Sequence, residues 1–281
     1  MIIFRKAADL ADFLLKKRNE KCSVGFVPTM GALHAGHLSL VTKSLAENDW
    51  TVVSIFVNPT QFNNAADLEK YPRNTPLDIE LLHDAGCPVL FLPDENEMYP
   101  DGNKLSEQYP LGPLDSMLEG EFRPGHFQGV CQVVHRLLKM VGECRLYLGK
   151  KDFQQVMVLK KLTELEKLPA EIIACESVRE PGGLAMSSRN ARLTAEGKNK
   201  AATISKVLFW MKEFFTTDFD SAQQSAQQQG IEKLTAAGIA VEYLEVRRSA
   251  DLLLPHAPDD PLVILAACTV EGVRLIDAVE V

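Results

Sequence analysis

The chain has 281 residues and a mass of 31.1 kDa, which corresponds to about two domains of average size. A composition of 46% hydrophobic, 24% charged and 7% aromatic residues excludes disordered, collagen-like and low-complexity proteins. The 30 basic and 38 acidic residues give a net charge of −8, which argues against nonspecific binding to nucleic acid. No apolar run reaches the ~18 residues of a transmembrane helix, and the amphipathic N-terminus does not resemble a signal peptide. We therefore expect a cytoplasmic protein with no nucleic-acid or membrane partner.

Helical and strand patterns alternate over the first two thirds of the chain. Amphipathic segments predict helices at residues 6–18, 38–47, 75–85, 130–141 and 153–167. Short apolar runs predict strands at residues 23–27, 50–57, 89–92, 145–148 and 171–175. This alternation is typical of βαβ units, so we predict an α/β fold with a doubly wound parallel sheet over roughly the first 175 residues.

The pattern changes in the last third of the chain. Two long helical segments at 195–216 and 221–237 precede strand-like runs at 241–246, 262–267 and 273–277. Helices followed by strands indicate a smaller α+β second domain. The segment 179–192, rich in glycine and serine, is the predicted hinge between the two domains.

The cysteines carry no metal-binding spacing. None forms a CxxC pair, and no histidine lies beside them at zinc-finger spacing. We interpret all six as buried thiols: Cys22, Cys87, Cys131, Cys144, Cys175 and Cys268.

A loop with two histidines follows the first predicted strand. It reads PTMGALHAGH over residues 28–37, where Gly31 and Gly36 let the backbone turn and approach a ligand. His34 and His37 are three apart, so they share one face at the start of the next helix. Imidazoles and free N–H groups at a helix start favour a phosphate ligand. Capping or packing histidines and a zinc site are the alternatives, although no third zinc ligand lies at short spacing.

Further candidate ligands follow other predicted strands, where a parallel sheet places its ligand. Asn58 and Gln61 suit a substrate with hydroxyl and carboxylate groups, although Asn-Pro also favours a plain turn. In the segment GKKDFQQ, residues 149–155, Lys151 can contact phosphate, and Asp152 can accept from a ribose hydroxyl or cap the helix. Gln155 would point toward the same cleft. A capped surface helix with exposed lysines is the alternative.

The segment MSSRN, residues 186–190, offers two hydroxyls and a guanidinium, a compact phosphate clamp. A flexible linker is the alternative. Weaker candidates are Arg123 and His126 in a basic loop, and Asp78 as a metal ligand acting through water. The chain contains no GxxxxGK[ST], GxGxxG or GxSxG motif.

These motifs together resemble a known enzyme family. The segments VPTMGALHAGHLSL, IFVNPTQF, YPR, RPGHFQGV, LGKKDFQQ and LAMSSRN are similar to those of the pantoate–β-alanine ligases. They occur in the family's order along nearly the whole chain, ending with GVRLID. The His-x-Gly-His and Met-Ser-Ser-Arg segments resemble the two signature motifs of the wider nucleotidyltransferase superfamily, which includes class I tRNA synthetases.

The resemblance implies a Rossmann-like domain at 1–178, a smaller α+β C-terminal lid domain at 179–281, and a homodimer. It implies ATP with Mg²⁺, pantoate and β-alanine as substrates, and AMP and pyrophosphate as products. The implied catalytic residues are His37 as proton donor, with His34, Lys151, Ser187, Ser188 and Arg189. The implied ATP-binding residues are Met30, Gly31, Ala32, Leu33, His34, Ala35, Gly36, His37, Gly149, Lys150, Lys151, Asp152, Val178, Met186, Ser187, Ser188 and Arg189. Gln61 and Gln155 would hold pantoate, and Asn58, Arg123 and His126 complete the expected substrate residues.

Two positions depart from the family pattern. Lys150 stands where the family usually has glutamate, and Gly182 where an acidic residue is common. We expect both changes to add positive character near the phosphates and to alter ATP affinity rather than the reaction. Two other classes of function stay open, a different nucleotidyltransferase and a non-catalytic module that senses ATP. A tRNA synthetase should carry a basic RNA-binding extension, and this chain has no obvious one.

Overall fold

The computed structural model describes residues 1–103, 107–215, 222–257 and 259–281, and these form two compact units. The first unit comprises Met1–Gly149 and Gln154–Cys175, and the second comprises Lys150–Phe153 and Glu176–Val281. The predicted domain boundary after residue 178 stays a prediction. The ends of two predicted helices, Thr216 and Ser221, lie outside the described residues. Among the described residues, no helix is long and apolar enough to span a membrane.

The first unit contains a parallel sheet, as predicted. Its described strands are β1 (Ile2–Phe4), β2 (Val24–Thr29), β3 (Trp50–Ile55), β4 (Val89–Phe91), β5 (Cys144–Gly149) and β6 (Ala170–Cys175). They lie in the order β1-β4-β3-β2-β5-β6, and every neighbouring pair is parallel. The strand β2 therefore has β3 as its neighbour on one side and β5 on the other. The carboxyl ends of β2 and β5 therefore flank the switch point where open α/β sheets bind ligands.

The sheet has six described strands rather than the predicted five. The additional strand is the three-residue β1, which pairs with β4 at the edge of the sheet. A run of three residues is too short to show the alternation or length by which a strand is predicted.

The helices of the first unit include longer ones that pack on both faces of this sheet. They are α1 (Ala7–Asn19), α2 (Ala35–Glu47), α3 (Ala65–Glu69), α4 (Thr75–Asp84), α5 (Glu95–Met98), α6 (Glu119–Phe122), α7 (His126–Val141) and α8 (Phe153–Leu165). Successive strand residues point to opposite faces. Accordingly, Phe26 and Leu146 lie in a core beneath α1, α7 and α8, whereas Val27 and Tyr147 lie in a second core beneath α2 and α4.

The second unit contains an antiparallel sheet and two long helices, which confirms the predicted α+β architecture. Its described strands are β7 (Ala240–Arg248), β8 (Leu262–Val270) and β9 (Val273–Glu280), in that order in the sheet. The helices α9 (Ala195–Phe215) and α10 (Ala222–Ala236) precede them. The apolar sides of these elements form a core of their own, which includes Leu208, Leu234 and Ile264.

The cysteines are free thiols, and five of the six are buried as predicted. The expectation was wrong for Cys22, which is only partly buried. It lies between α1 and β2, in a connection that runs over the surface.

The central strand β5 supplies a direct test of the core. Leu146 is fully buried, whereas Leu15 in α1 is 54% exposed. We expect Leu146→Ala to lower the free energy of unfolding by about 2–5 kcal/mol, because a cavity remains beside the sheet. Leu15→Ala, the matched control, should change it by less than about 0.5 kcal/mol in the same urea titration. Equal effects of the two substitutions would contradict this packing.

Candidate active site

The loop after β2 leaves the sheet in a left-handed conformation. Gly31 has φ +78°, and Ala32, which has a side chain, has φ +49°. A Cβ atom on Gly31 would lie 2.9 Å from a carboxylate oxygen of Asp78, so this position has no room for a side chain. The Thr29 hydroxyl donates to the Ser54 carbonyl at 2.8 Å and accepts the Gly31 N–H at 3.2 Å. The loop is therefore anchored to β3 where it begins.

A buried carboxylate holds the other side of this loop. Asp78 in α4 accepts the backbone N–H of Ala32 at 3.0 Å and that of Leu33 at 2.7 Å, one on each oxygen. Two N–H groups of a strained turn, one buried and one partly buried, thus find charged acceptors. The role that the structure gives Asp78 is to position the loop. A contact with a metal through water stays a prediction.

The two histidines lie at the start of α2. This helix begins at Ala35, three residues before its predicted start at residue 38. His34 caps the helix, because its Nδ1 accepts the Gly36 N–H at 3.1 Å. A neutral ring that accepts at Nδ1 carries its proton on Nε2 and can donate it. The His37 ring lies beside it, with 4.0 Å between ring centroids and 33° between planes. His34 therefore caps α2 through Nδ1, and this bond leaves Nε2 as the ring nitrogen that can donate to a ligand.

The zinc alternative receives no support. Among the residues that the structure describes, no three His, Cys, Asp or Glu side chains lie close enough together to hold a metal ion.

Asn58 is a buried anchor rather than an exposed amide. Its Nδ2 donates to Gln61 Oε1 and to the Gly129 carbonyl, both at 3.1 Å, and its Oδ1 accepts the Tyr99 hydroxyl at 2.7 Å. Burial raises the pKa of Tyr99, so this hydroxyl stays a donor. The expectation that Asn58 contacts substrate does not fit these bonds. Asn58 instead positions Gln61, whose Nε2 lies 3.2 Å from Met30 Sδ.

Arg123 and His126 bond to the backbone of the same segment. His126 Nδ1 lies 2.8 Å from the Gln61 carbonyl oxygen, and Arg123 donates to that oxygen at 3.3 Å. Gly129 in α7 allows this approach, since a Cβ there would lie 2.4 Å from the Thr60 carbonyl oxygen. The structure therefore joins Gln61, Arg123 and His126 in one cluster and gives the two basic residues a positioning role.

The start of α8 contains one anchor that the sequence analysis missed. Gln154 is buried, donates to the carbonyls of Leu114 and Met117, and accepts the Glu119 N–H. The next residue, Gln155, is only partly buried. Two adjacent glutamines carry no signal in the sequence that tells which one faces the interior.

In the second unit, a short 3₁₀ turn spans Lys150–Asp152. Lys151 Nζ lies 3.2 Å from Asp152 Oδ1. Lys150 bonds to both Glu176 and Glu280, and these two carboxylates raise its pKa. Two carboxylates therefore already offset the charge of the Lys150 ammonium, which does not favour the expectation that Lys150 adds positive character near the phosphates.

The predicted hinge is an ordered part of the second unit. Arg179 and Ala185 form an antiparallel bridge, and Gly183, with φ +95°, completes the turn between them. The Met186 N–H donates to the Val178 carbonyl at 2.9 Å. These bonds do not favour the flexible-linker alternative for residues 186–190, and the hinge over 179–192 stays a prediction.

The serine-rich segment that follows is a short 3₁₀ helix over Ser188–Arg192. Ser187 caps it by accepting the Arg189 N–H at 3.3 Å. Asn190, to which the motif MSSRN assigned no role, is buried and donates to Glu180 and to the Ala185 carbonyl. The helix is therefore bonded to the preceding turn, and Ser187, Ser188 and Arg189 lie on one short element of the second unit.

Asp78 offers a clean test of loop positioning. Asp78→Asn keeps the shape of the side chain but turns an NH₂ group toward a backbone N–H. Because a buried donor is then left without an acceptor, we expect a loss of about 1–3 kcal/mol in the free energy of unfolding. The control is Asp84→Asn on the same helix, where the side chain is 72% exposed and should have little effect. Equal melting curves for the wild type and Asp78→Asn would contradict the role assigned to Asp78.

Comparison with known proteins gives one consistent result. A family model described as pantoate-beta-alanine ligase matches residues 2–280. The pantothenate synthetase of Bacteroides thetaiotaomicron is 43% identical over 282 residues, covering 100% of this chain and 99% of the relative. That of Cytophaga hutchinsonii is 44% identical over 280 residues, covering 99% of this chain and 98% of the relative.

Solved structures agree with the sequence comparison. The pantothenate synthetase of Thermus thermophilus has a TM-score of 0.91 and 38% identity, covering 100% of this chain and 99% of that chain. The pantoate-beta-alanine ligase of Francisella tularensis, described as complexed with beta-gamma ATP and beta-alanine, has a TM-score of 0.77 and 37% identity. It covers 100% of this chain and 97% of that chain. The fold, the histidine loop and the match over nearly every residue lead to one conclusion: this chain belongs to the pantoate–β-alanine ligase family.

Proposed function

We propose that the protein condenses pantoate with β-alanine to form pantothenate, using ATP and releasing AMP and pyrophosphate. The observation that carries this proposal is the His34–His37 pair at the start of α2, in a chain whose residues 2–280 match the ligase family. The pair lies beside the switch point of the parallel sheet, where such folds bind nucleotides.

The reaction has two steps, and in each of them one bond forms as another breaks. A carboxylate oxygen of pantoate attacks the α-phosphorus of ATP, the bond from that phosphorus to the bridging oxygen breaks, and pyrophosphate leaves. The amine nitrogen of β-alanine then attacks the acyl carbon of the pantoyl adenylate. The bond from that carbon to the AMP oxygen breaks, an amide forms, and the amine loses a proton. Positioning and charge stabilisation are the protein's main contributions to such a phosphoryl substitution.

The first unit supplies donors for the phosphates. His34 donates from Nε2 while its Nδ1 caps α2, and His37 acts as proton donor beside it. The positive end of α2 adds a favourable field for an anion. Removing one such donor typically costs about 2.7–4 kcal/mol of barrier, or roughly 10²–10³ in rate.

The other ATP-binding residues form two groups. In the first unit we assign Met30, Gly31, Ala32, Leu33, Ala35, Gly36 and Gly149. In the second unit we assign Lys151, Asp152, Val178, Met186, Ser187, Ser188 and Arg189. The hydroxyls, the ammonium and the guanidinium of the second group are the donors that suit phosphate oxygens.

Gln61 and Gln155 are the proposed pantoate ligands. Gln61 suits this role because its side chain and its backbone are both held. Asn58 bonds to its side-chain amide oxygen, and Arg123 and His126 bond to its backbone carbonyl. A preorganised amide can bond the hydroxyl and carboxylate groups of pantoate without a further ordering cost.

Mg²⁺ enters, in this proposal, together with ATP as part of the substrate. Mg²⁺ usually keeps several waters and binds through substrate phosphates with one or two carboxylates, so it needs no cluster of protein ligands. Asp78 stays the carboxylate that we propose for a contact with such a complex, through water.

We also propose that the enzyme works in the cytoplasm as a homodimer. The six free thiols suit a reducing compartment. Light scattering of the purified chain tests the dimer.

The activity is tested by following pyrophosphate and AMP from ATP. With pantoate alone, we expect pyrophosphate release limited to about one equivalent per site, because the adenylate stays bound. Adding β-alanine should make release catalytic and produce equal amounts of AMP and pantothenate. A cytidylyltransferase-like enzyme would need no amine, and a sensing module would bind ATP without releasing pyrophosphate. Either result would contradict the proposal.

Matched variants assign the activity to the histidine pair. We expect His37→Ala to lower the rate of pyrophosphate release roughly 10²–10³-fold, as for other lost transition-state donors. His83→Ala serves as the control, since that side chain is 72% exposed on α4. A contaminating activity would respond to neither substitution.

A further inference from the structure

Lys150 is the centre of an ion-pair cluster in the second unit. Its ammonium bonds to Glu176, which follows β6 in the chain, and to Glu280 at the end of β9. Lys212 in α9 donates to the backbone carbonyl of Glu280 at 2.8 Å. The bond from Lys212 thus fixes the Glu280 backbone, while the Glu280 carboxylate bonds to Lys150.

The two carboxylates are not equivalent partners. The Glu176 side chain is 84% exposed, whereas that of Glu280 is 39% exposed. Water screens exposed ion pairs strongly, so the bond to Glu280 is the stronger constraint. Glu280, at the end of β9, is therefore the main ion-pair partner of Lys150.

The 3₁₀ turn at Lys150–Asp152 needs such an anchor. Turns of this type have poorer hydrogen-bond geometry than α-helices and are short of stabilising bonds of their own. Lys151, the next residue, has a flexible four-carbon stem, and the position of its backbone decides where its ammonium can reach. Lys150 directly precedes Lys151, so the bonds that Lys150 makes also limit the motion of the Lys151 backbone.

We propose that Lys150 is a positioning residue for catalysis, which binds Glu280 and Glu176 so that the adjacent Lys151 is held ready for the phosphates of ATP. This inference rests on the proposed function, since it assigns a means of placing Lys151 rather than a new reaction. In this role, Lys150 itself does not bind phosphate.

Removing the anchor without removing Lys151 is the first test. We expect Lys150→Met to lower kcat/KM for ATP on the order of 10- to 100-fold, the loss typical of a displaced catalytic group. The melting temperature should fall by no more than about 4 °C, because partly exposed ion pairs contribute little to global stability. Lys150→Arg keeps the charge and both acceptors within reach, and should recover most of the activity.

Lys161→Met is the matched control. Lys161 lies on α8, is 43% exposed, and pairs with Glu164 at 3.8 Å. It should leave both kcat/KM and the melting temperature unchanged. A loss equal to that of Lys150→Met would show a general effect of removing one positive charge and would overturn the proposal.

Glu280→Gln separates positioning from direct phosphate binding. If Lys150 acts through its anchor, neutralising Glu280 lowers kcat/KM for ATP, and Glu176→Gln lowers it less. If Lys150 bound phosphate itself, neutralising Glu280 would free its ammonium and leave KM for ATP unchanged or lower. That second result would overturn the proposal.

A double-mutant cycle identifies the residue through which Lys150 acts. In a Lys151→Met background, adding Lys150→Met should change the residual rate less than about twofold, since the group to be positioned is gone. Losses that multiply would show independent roles and would overturn the proposal. Turnover of pantoate and β-alanine by the wild type is measured in parallel, so a failure here is distinct from a failure of the proposed function.

Discussion

The carboxylate of Asp78 is the constraint on which the candidate site depends most. It accepts two backbone N–H groups from a turn that contains a non-glycine residue with positive φ. Without a charged acceptor, that turn would bury two unsatisfied donors in addition to its backbone strain. The direction in which the chain enters α2 follows from this contact, and with it the place of His34 and His37.

The same kind of support recurs elsewhere in the molecule. Residues assigned to substrates are held by buried polar groups that bond to other parts of the protein. Asn58 and His126 hold Gln61, Gln154 holds the start of α8, and Asn190 holds the serine-bearing helix of the second unit. Reactions that proceed through an adenylate gain most from fixed geometry and excluded water, since the intermediate hydrolyses readily. A rigid support for a small number of donors meets that need.

Much of the architecture could be predicted from sequence, because buried parallel strands and amphipathic helices leave periodic patterns. The strand β1 was missed, since three residues carry no period. The first turn of α2 was missed because a histidine, which is not a common cap, begins it. These errors concern the ends of elements, where local signals are weakest.

The errors in the site have a different physical origin. Lys150 and Glu280 are 130 positions apart, and no spacing rule reveals that one neutralises the other. Asn58 was expected to face substrate, although its four bonding partners come from three separate segments that only the fold brings together. Motifs indicate which residues gather at a site. Tertiary contacts decide which of them face the ligand and which hold their neighbours.

In the proposed reaction, a pantoate carboxylate oxygen becomes bonded to the α-phosphorus of ATP. Pantoate labelled with ¹⁸O in its carboxylate tests this directly, by mass spectrometry of the nucleotide after turnover with β-alanine. We expect one ¹⁸O atom in the phosphate of AMP, because the acyl carbon–oxygen bond breaks in the second step. Label found in inorganic phosphate, with ADP as the nucleotide product, would indicate an acyl phosphate and contradict the adenylate mechanism.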